Sequence, residues 1–199
     1  PSSRLRAASI TMHSATKGIA GHNDATLGVI AAEKELIDTI WGYSVLHGAT
    51  ASPFDALNGL RGVRTLGVRL RQQSETAQQL AEWLSTHPAI KRVNYPGLAT
   101  HPQHALAKRQ MRWCGSIMSI ELCGDINDVR QLTQRLQLVR NAVTLGGPDT
   151  LISHSATSTH LSVDPAVKAA TGISESLLRV SVGLEAFEDL RSDFAAALA

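Results

Sequence analysis

The run His13-Ser14-Ala15-Thr16-Lys17-Gly18-Ile19-Ala20-Gly21-His22-Asn23-Asp24 sets one lysine directly behind two hydroxyl side chains and ahead of a turn rich in glycine and ending in aspartate. An unperturbed lysine titrates at about 10.4, so at neutral pH it is protonated and a poor nucleophile. It gains chemistry as a Schiff base with a carbonyl, or where its surroundings lower its pKa. Enzymes that use pyridoxal phosphate (PLP) employ such a lysine twice, to anchor the aldehyde and then to move substrate protons. The phosphate of that cofactor requires donors close by. Ser14 and Thr16 lie two apart, and in an extended segment their side chains point the same way. Gly18 and Gly21 let backbone N–H groups approach an anion. The spacing is not the Gly-x-x-x-x-Gly-Lys-[Ser/Thr] of a nucleotide loop. An ordinary Ser/Thr turn carrying a surface lysine fits the same residues.

Two other stretches carry groups that could bind a small molecule. In Leu178-Arg179-Val180-Ser181-Val182-Gly183-Leu184 the apolar residues alternate with Arg179, Ser181 and Gly183. An arginine flanked by a small hydroxyl and a glycine has open space in front of it, and its fork suits a carboxylate. The competing reading is a salt-bridged arginine on a solvent face. In Val143-Thr144-Leu145-Gly146-Gly147-Pro148 a hydroxyl precedes a Leu-Gly-Gly turn, where it can edge a pocket or simply mark the turn. The histidines, among them His101, His104, His154 and His160, form no metal-binding spacing, and no metal site is expected. A Gly-x-Ser-x-Gly nucleophile elbow is absent as well.

The surrounding pattern supplies elements to hold these groups. Strands are expected at Ala8–Met12, entering the lysine loop, and at Ala25–Ile30, followed by a helix over Ala31–Tyr43 with Leu36, Ile37 and Ile40 on one face. Ser52-Pro53 is an N-cap with proline at the first helical position. The helix it starts has Leu57, Leu60, Leu66, Leu70, Ala77, Leu80 and Leu84 at helical spacing and reaches His87-Pro88. More than about 30 residues in one helix is unusual for a compact domain; a bend is expected near Gly62 or Gly67. Arg61, Arg64, Arg69 and Arg71 read as a solvated or partner-facing edge. A strand over Ile90–Tyr95, a helix over Gln103–Met111, a strand over Cys114–Cys123 and a helix over Ile126–Leu138 capped by Asp125 come next. Val139–Thr144 is expected to be extended, Thr150–Ser174 to be loop and short helix, Leu177–Leu184 a strand, and Ala186–Leu198 a closing helix. This second part reads as an α+β domain, a sheet with helices on one face.

Composition sets the outer limits. The 199 residues are 43% hydrophobic and 18% charged, as in ordinary globular proteins, and the formal charge of +2 is too small to argue for nucleic acid. No apolar run approaches the ~20 residues of a membrane span, and the N-terminus has no signal-peptide apolar core. The two cysteines, Cys114 and Cys123, read as reduced residues at the ends of a buried strand, and a cytoplasmic location follows.

Taken together and in order, four stretches resemble the C-terminal half of the Cys/Met-metabolism PLP-dependent enzymes, the cystathionine γ-synthase, cystathionine γ-lyase and methionine γ-lyase type. They are the lysine run itself; Gly48-Ala49…Ser52-Pro53-Phe54-Asp55…Arg61-Gly62-Val63-Arg64-Thr65-Leu66; Val93-Asn94-Tyr95-Pro96-Gly97-Leu98; and Gly172-Ile173-Ser174…Leu178-Arg179-Val180-Ser181-Val182-Gly183-Leu184-Glu185. The resemblance implies that Lys17 is the catalytic, cofactor-holding lysine, with Ser14 and Thr16 as phosphate ligands. It implies that Arg179 clamps the substrate α-carboxylate, that Thr144 takes the place of a serine assisting it, and that Val143 lies in the substrate site. The implied fold is α/β. Residues 1–57 would end an aspartate-aminotransferase-like (fold type I) large domain, and residues 58–199 would form a smaller C-terminal α+β domain entered by the long helix.

The implied activity is γ- or β-elimination or replacement on a sulfur-containing or O-acylated amino acid. The implied assembly is a homo-oligomer, a homotetramer. Departures narrow this. Gly18 replaces a tyrosine that commonly follows the lysine, Pro148-Asp149-Thr150 replaces a Val-Glu-Ser type run, and Val143 stands where cystathionine-specific members often carry glutamate. That last change weakens the case for cystathionine as substrate and leaves γ-elimination of a smaller thioether, or sulfhydrylation, open. The family places roughly half its chain before the lysine, including the ring-stacking tyrosine and the aspartate paired with the pyridine nitrogen. Two readings are therefore expected to compete: an enzyme chain completed by an N-terminal half from elsewhere, or a truncated relative that is catalytically inactive or serves as an oligomerisation module. In either, the Ala8–Met12 strand is expected to lie unpaired at an exposed edge.

Overall fold

The computed structural model describes residues 10–199 and divides the chain into two compact units, Pro1–Leu66 and Gly67–Ala199. In the first, strand β1 (Ile10–Ser14) pairs antiparallel with β2 (Gly28–Ala32) in the register Ile10↔Ala32 through Ser14↔Gly28. The strand entering the lysine loop is thus paired, contrary to expectation; the Ala8–Ser9 part of the expected strand lies outside the described residues. Strand β2 starts later than the sequence suggests, because Thr26 and Leu27 are held in the loop by side chains: Thr26 N–H donates to Asp55 Oδ1 (2.8 Å) and Leu27 N–H to Thr16 Oγ1 (2.9 Å).

Helix α1 (Lys34–Leu46) packs on β2 and half-buries Leu36, Ile37 and Ile40, the expected face. Helix α2 (Pro53–Val63) begins as its cap predicts, with Ser52 Oγ accepting from Asp55 N–H (3.1 Å). It then stops. The N–H and hydroxyl of Thr65 both turn back on the Gly62 carbonyl, at 3.2 and 3.3 Å, and α3 (Leu66–Leu84) starts afresh. The expected long helix is two helices, broken at Arg64-Thr65 between the two glycines. The apolar stripe divides with it: Ala77, Leu80 and Leu84 are fully buried, whereas Leu57 and Leu60 are 59% and 56% exposed. Among the described residues before Gly67, the buried hydrophobic side chains are Ala15, Ala20 and Ala25 alone.

The second unit is a five-stranded sheet ordered β3-β4-β7-β6-β5, built from β3 (Ile90–Asn94), β4 (Ile117–Leu122), β5 (Arg140–Asn141), β6 (Leu151–His154) and β7 (Leu177–Ser181). All pairs are antiparallel except β5 with β6. Met118, Ile120, Leu178, Val180 and Val182 share one face and one core with Leu80 and Leu84 of α3. Val129 and Leu132 of α5 (Ile126–Arg135) and Leu190 and Phe194 of α7 (Phe187–Leu198) complete it. This is the expected sheet covered by helices. Helix α5 carries a full capping box, Asp125 accepting from the helix while Asp128 accepts from Asp125 N–H (2.8 Å). Two short helices, α4 (His104–Gln110) and α6 (Pro165–Ala170), lie in the connections.

Several local expectations fail for identifiable reasons. Strand β4 is shorter than Cys114–Cys123 because Gly115 takes φ +81°, outside strand geometry; Cys114 is half-buried and Cys123 exposed, and neither is disulfide-bonded. Strand β6 falls inside the stretch expected to be loop. It is buried throughout despite its polar residues, because His154 finds partners in Thr157 Oγ1 (2.8 Å) and the Glu175 carbonyl (2.9 Å). Arg69, assigned to an exposed basic edge, is only 5% exposed, and burial lowers its pKa. Among the described residues no helix is long and apolar enough to cross a membrane. Phe194 and the sheet residues it covers form the centre of this core, so Phe194→Ala should lower stability by about 3–5 kcal/mol, read as a fall in the urea midpoint.

Candidate functional site

Lys17 sits in the turn that begins as soon as β1 ends. Its N–H donates to the Ser14 carbonyl (3.1 Å), its own carbonyl accepts from Gly21 N–H (2.8 Å), and Ala20 N–H donates to the Ala15 carbonyl (2.8 Å). The backbone is therefore coiled from Ala15 onward, and Ser14 and Thr16 do not belong to one extended strand. They nevertheless border one cavity of about 980 Å³, together with Thr26, Ile37 and Trp41. Lys17, half-buried in the turn, is not among the residues bordering it. Thr16 Oγ1 donates to the Leu27 carbonyl (3.3 Å) while accepting from Leu27 N–H, so its hydroxyl pins the neck of the loop. Gly21 takes φ +69° and Asn23 follows at +58°; the Gly21 N–H is already engaged by the Lys17 carbonyl.

Helix α2 seats this loop from below. A Cβ on Gly62 would collide with the backbone of Ala20, and one on Gly59 would lie 2.6 Å from Leu27 Cδ2. Spaced three apart, the two glycines share a helix face and let the loop rest on the helix itself. Side chains complete the grip: Asp55 Oδ1 receives Thr26 N–H, Asp55 Oδ2 receives the Ser52 hydroxyl (2.7 Å), and Asn58 Nδ2 donates to the Asp24 carbonyl (2.9 Å). The Ser52 hydroxyl, and then the Thr26 N–H, hold the Asp55 carboxyl below the usual carboxylate range. Sequence reasoning does not mark Asp55, Asn58, Gly59 and Gly62 as site residues, although Phe54-Asp55 and Arg61-Gly62 lie in one of the family-like stretches.

In the second unit the structure brings Arg179, Val143 and Thr144 together. Arg179 Nη2 donates to the carbonyl oxygens of Val143 (2.8 Å) and Thr144 (3.0 Å). Both acceptors are neutral, so the guanidinium is oriented without its charge being cancelled. Burial lowers its pKa, which for an arginine still leaves it protonated. Nε is buried and has no acceptor among the described residues. Arg179 makes no salt bridge among the described residues. Val143 contributes through its backbone; its side chain is 58% exposed.

The space over Ser181 and Gly183 is not open. The 143–150 loop crosses it: Gly146 N–H donates to Ser181 Oγ (3.2 Å), Leu184 N–H to the Pro148 carbonyl (2.7 Å), and a Cβ on Gly183 would collide with Pro148 and Asp149. Thr150, fully buried, accepts from Gly183 N–H (2.8 Å), and its N–H and hydroxyl both donate to the Glu185 carboxylate at 2.6 Å. Gln73 Nε2 holds the Gly147 carbonyl from α3 (2.8 Å). Thr150, Glu185 and Gln73 thus fix the loop whose carbonyls hold Arg179. The signal for Thr150 and Glu185 was present in the Pro148-Asp149-Thr150 and Gly183-Leu184-Glu185 runs; nothing local marks Gln73. Among the described residues no three His, Cys, Asp or Glu side chains gather as a metal set.

Residues 5–199 match the family described as Cys/Met metabolism PLP-dependent enzyme. The chain is similar to cystathionine beta-lyase of Coxiella burnetii (strain RSA 493 / Nine Mile phase I), 45% identical over 95% of this chain and 49% of that protein. It is also similar to L-methionine gamma-lyase of Pseudomonas putida, 42% identical over 96% of this chain and 48% of that one. Among solved structures, cystathionine gamma synthase from Xanthomonas oryzae pv. oryzae, in complex with aminoacrylate and cysteine, superposes with a TM-score of 0.92 at 44% identity, covering 96% of this chain and 50% of that chain. The chain spans about half the length of the relatives it matches.

Two outcomes follow from the seat under the lysine loop. Gly62→Ala should cost about 1–3 kcal/mol by overpacking against Ala20, with faster hydrogen exchange at Ala20 and Gly21 than in the parent chain. Asp55 has a folded pKa below its unfolded value, so its contribution is complete above that unfolded value and disappears as pH falls through the folded one. The Thr26 amide resonance should accordingly titrate with a midpoint below 3.8, and Asp55→Asn should abolish that titration.

Proposed function

We propose, for a chain that belongs to the Cys/Met-metabolism PLP-dependent enzyme family, that it forms part of a trans-sulfuration-type enzyme acting on a sulfur-containing or O-acylated amino acid by γ- or β-elimination or replacement. Its fold is that of the fold type I PLP enzymes, α/β with a mixed sheet. The observation that carries the activity is the Arg179 guanidinium, oriented by two backbone carbonyls and left with its positive charge uncancelled. Such a group is suited to an α-carboxylate.

The residues around Lys17 fit the cofactor. Ser14 and Thr16 border one cavity, and Lys17 follows Thr16 directly in the chain without itself bordering that cavity. Ser14 and Thr16 would hold the phosphate and Lys17 the aldehyde end. Thr16 would keep its acceptor role toward Leu27 N–H while turning its proton from the Leu27 carbonyl to the anion. When bound, PLP supplies an electron sink for the substrate α-carbon, which none of this chain's side chains provides. Lys17 would take the α-proton and return it, and Arg179 would hold the substrate carboxylate, an orientation effect. Val143, which lacks a carboxylate, favours a substrate without the distal amino group of cystathionine. Residues 1–57 would close the large domain and 58–199 form the small one, in a homo-oligomer.

Visible absorbance on adding PLP tests this. The chain alone should bind weakly or not at all. Added to the polypeptide matching the first half of the Coxiella relative, it should develop a yellow band that Lys17→Ala removes. Absence of the band in that mixture would favour the second reading, a non-catalytic relative.

A further inference from the structure

Arg179 reaches its partners by an unusual route. It lies on β7, yet the carbonyls it binds belong to Val143 and Thr144, just beyond β5. The sheet order is β7-β6-β5, and Ala142 N–H donates to the Ile152 carbonyl (3.0 Å), so the segment leading to Val143 runs beside β6. The arginine side chain therefore has to cross β6. The residue of β6 directly opposite Arg179 in register is Ser153, and cross-strand partners carry their side chains on the same face. Ser153 is 1% exposed. Arg179 Nε is buried and lacks an acceptor among the described residues. The buried donor and the serine stand opposite one another on adjacent strands, and a donor of this kind is costly when left unpaired.

We propose that Ser153 is a positioning residue for the carboxylate clamp: its small side chain lets the arginine cross β6, and its hydroxyl, by rotation about χ1, accepts the Nε–H of Arg179. With Nη2 on the two carbonyls and Nε on Ser153, the fork is fixed along one edge and Nη1 is left to meet a carboxylate. This rests on the reading of Arg179 given above. The opposite neighbour in register, Ser119 on β4, lies on the side away from which the arginine leans and has no part in the arrangement.

The test uses the 199-residue chain, ¹⁵N-labelled, with propionate as the carboxylate probe. The Nε–Hε cross-peak of Arg179 is assigned by its loss in Arg179→Lys. Ser153→Ala should shift that peak and speed its exchange with water even without the probe, and should weaken propionate roughly tenfold or more, as expected for a lost hydrogen bond to a charged group. Ser119→Ala should change neither. An unchanged Nε–Hε peak and unchanged propionate affinity in Ser153→Ala would overturn the role of Ser153 while leaving the clamp intact. Failure of propionate to perturb Arg179 in the parent chain would instead overturn the clamp, and the Nε–Hε response to Ser153→Ala would still decide whether the two side chains are paired.

Discussion

Both candidate clusters depend on a side chain that is missing where two backbones meet. At Gly62 the helix approaches Ala20 so closely that a single added carbon would displace the lysine turn, and at Gly183 the strand end approaches Pro148 and Asp149 in the same way. Hydrogen bonds then decide where each loop stops. Asp55, Asn58 and Thr16 serve the lysine turn; Thr150, Glu185 and Gln73 serve the loop that holds Arg179. In the first unit the lysine lies in a turn immobilised on a helix, and in the second the arginine lies on a strand and is held by an immobilised loop, the arrangement that gives a site its precision.

The two clusters differ in electrostatics. Around Lys17 the fixed groups are hydroxyls, a left-handed glycine and backbone amides already paired with backbone carbonyls. Around Arg179 the fixed groups are carbonyl dipoles, which orient a cation but cannot neutralise it. A carboxylate buried beside Arg179 would have formed a salt bridge and cancelled that charge. The desolvation that lowers the arginine's pKa is the cost of keeping that charge uncompensated.

Much of this was legible in the sequence where a local rule governs. Ser52-Pro53 and Asp125 marked helix starts that the structure places as expected, and the strict alternation from Leu178 to Val182 marked both the strand and the face of Arg179. The rest depends on contacts distant in sequence. Strand β6 is buried on both faces and polar in composition, so neither alternation nor hydrophobicity reveals it; its histidine is satisfied by Glu175, 21 residues away. The break after α2 follows from a single threonine turning back on Gly62, while an unbroken leucine spacing runs across it. The loop over Ser181 and Gly183 could not be seen from the strand that it covers. Arg69 reads as surface because arginine usually is, and only the packing of α3 buries it.

The unequal burial of apolar side chains has a thermodynamic signature. Met12, Trp41, Phe54 and Leu57 are largely exposed within the first unit, whose described buried hydrophobics are three alanines, while the large side chains of the second unit are sequestered. Unfolding exposes new apolar surface only where some was hidden. The heat capacity increment of this chain on melting is therefore that of the residues from Gly67 onward, roughly 12–15 cal/mol/K for each of them, with little added by those before it. A calorimeter would register a protein distinctly smaller than its chain length.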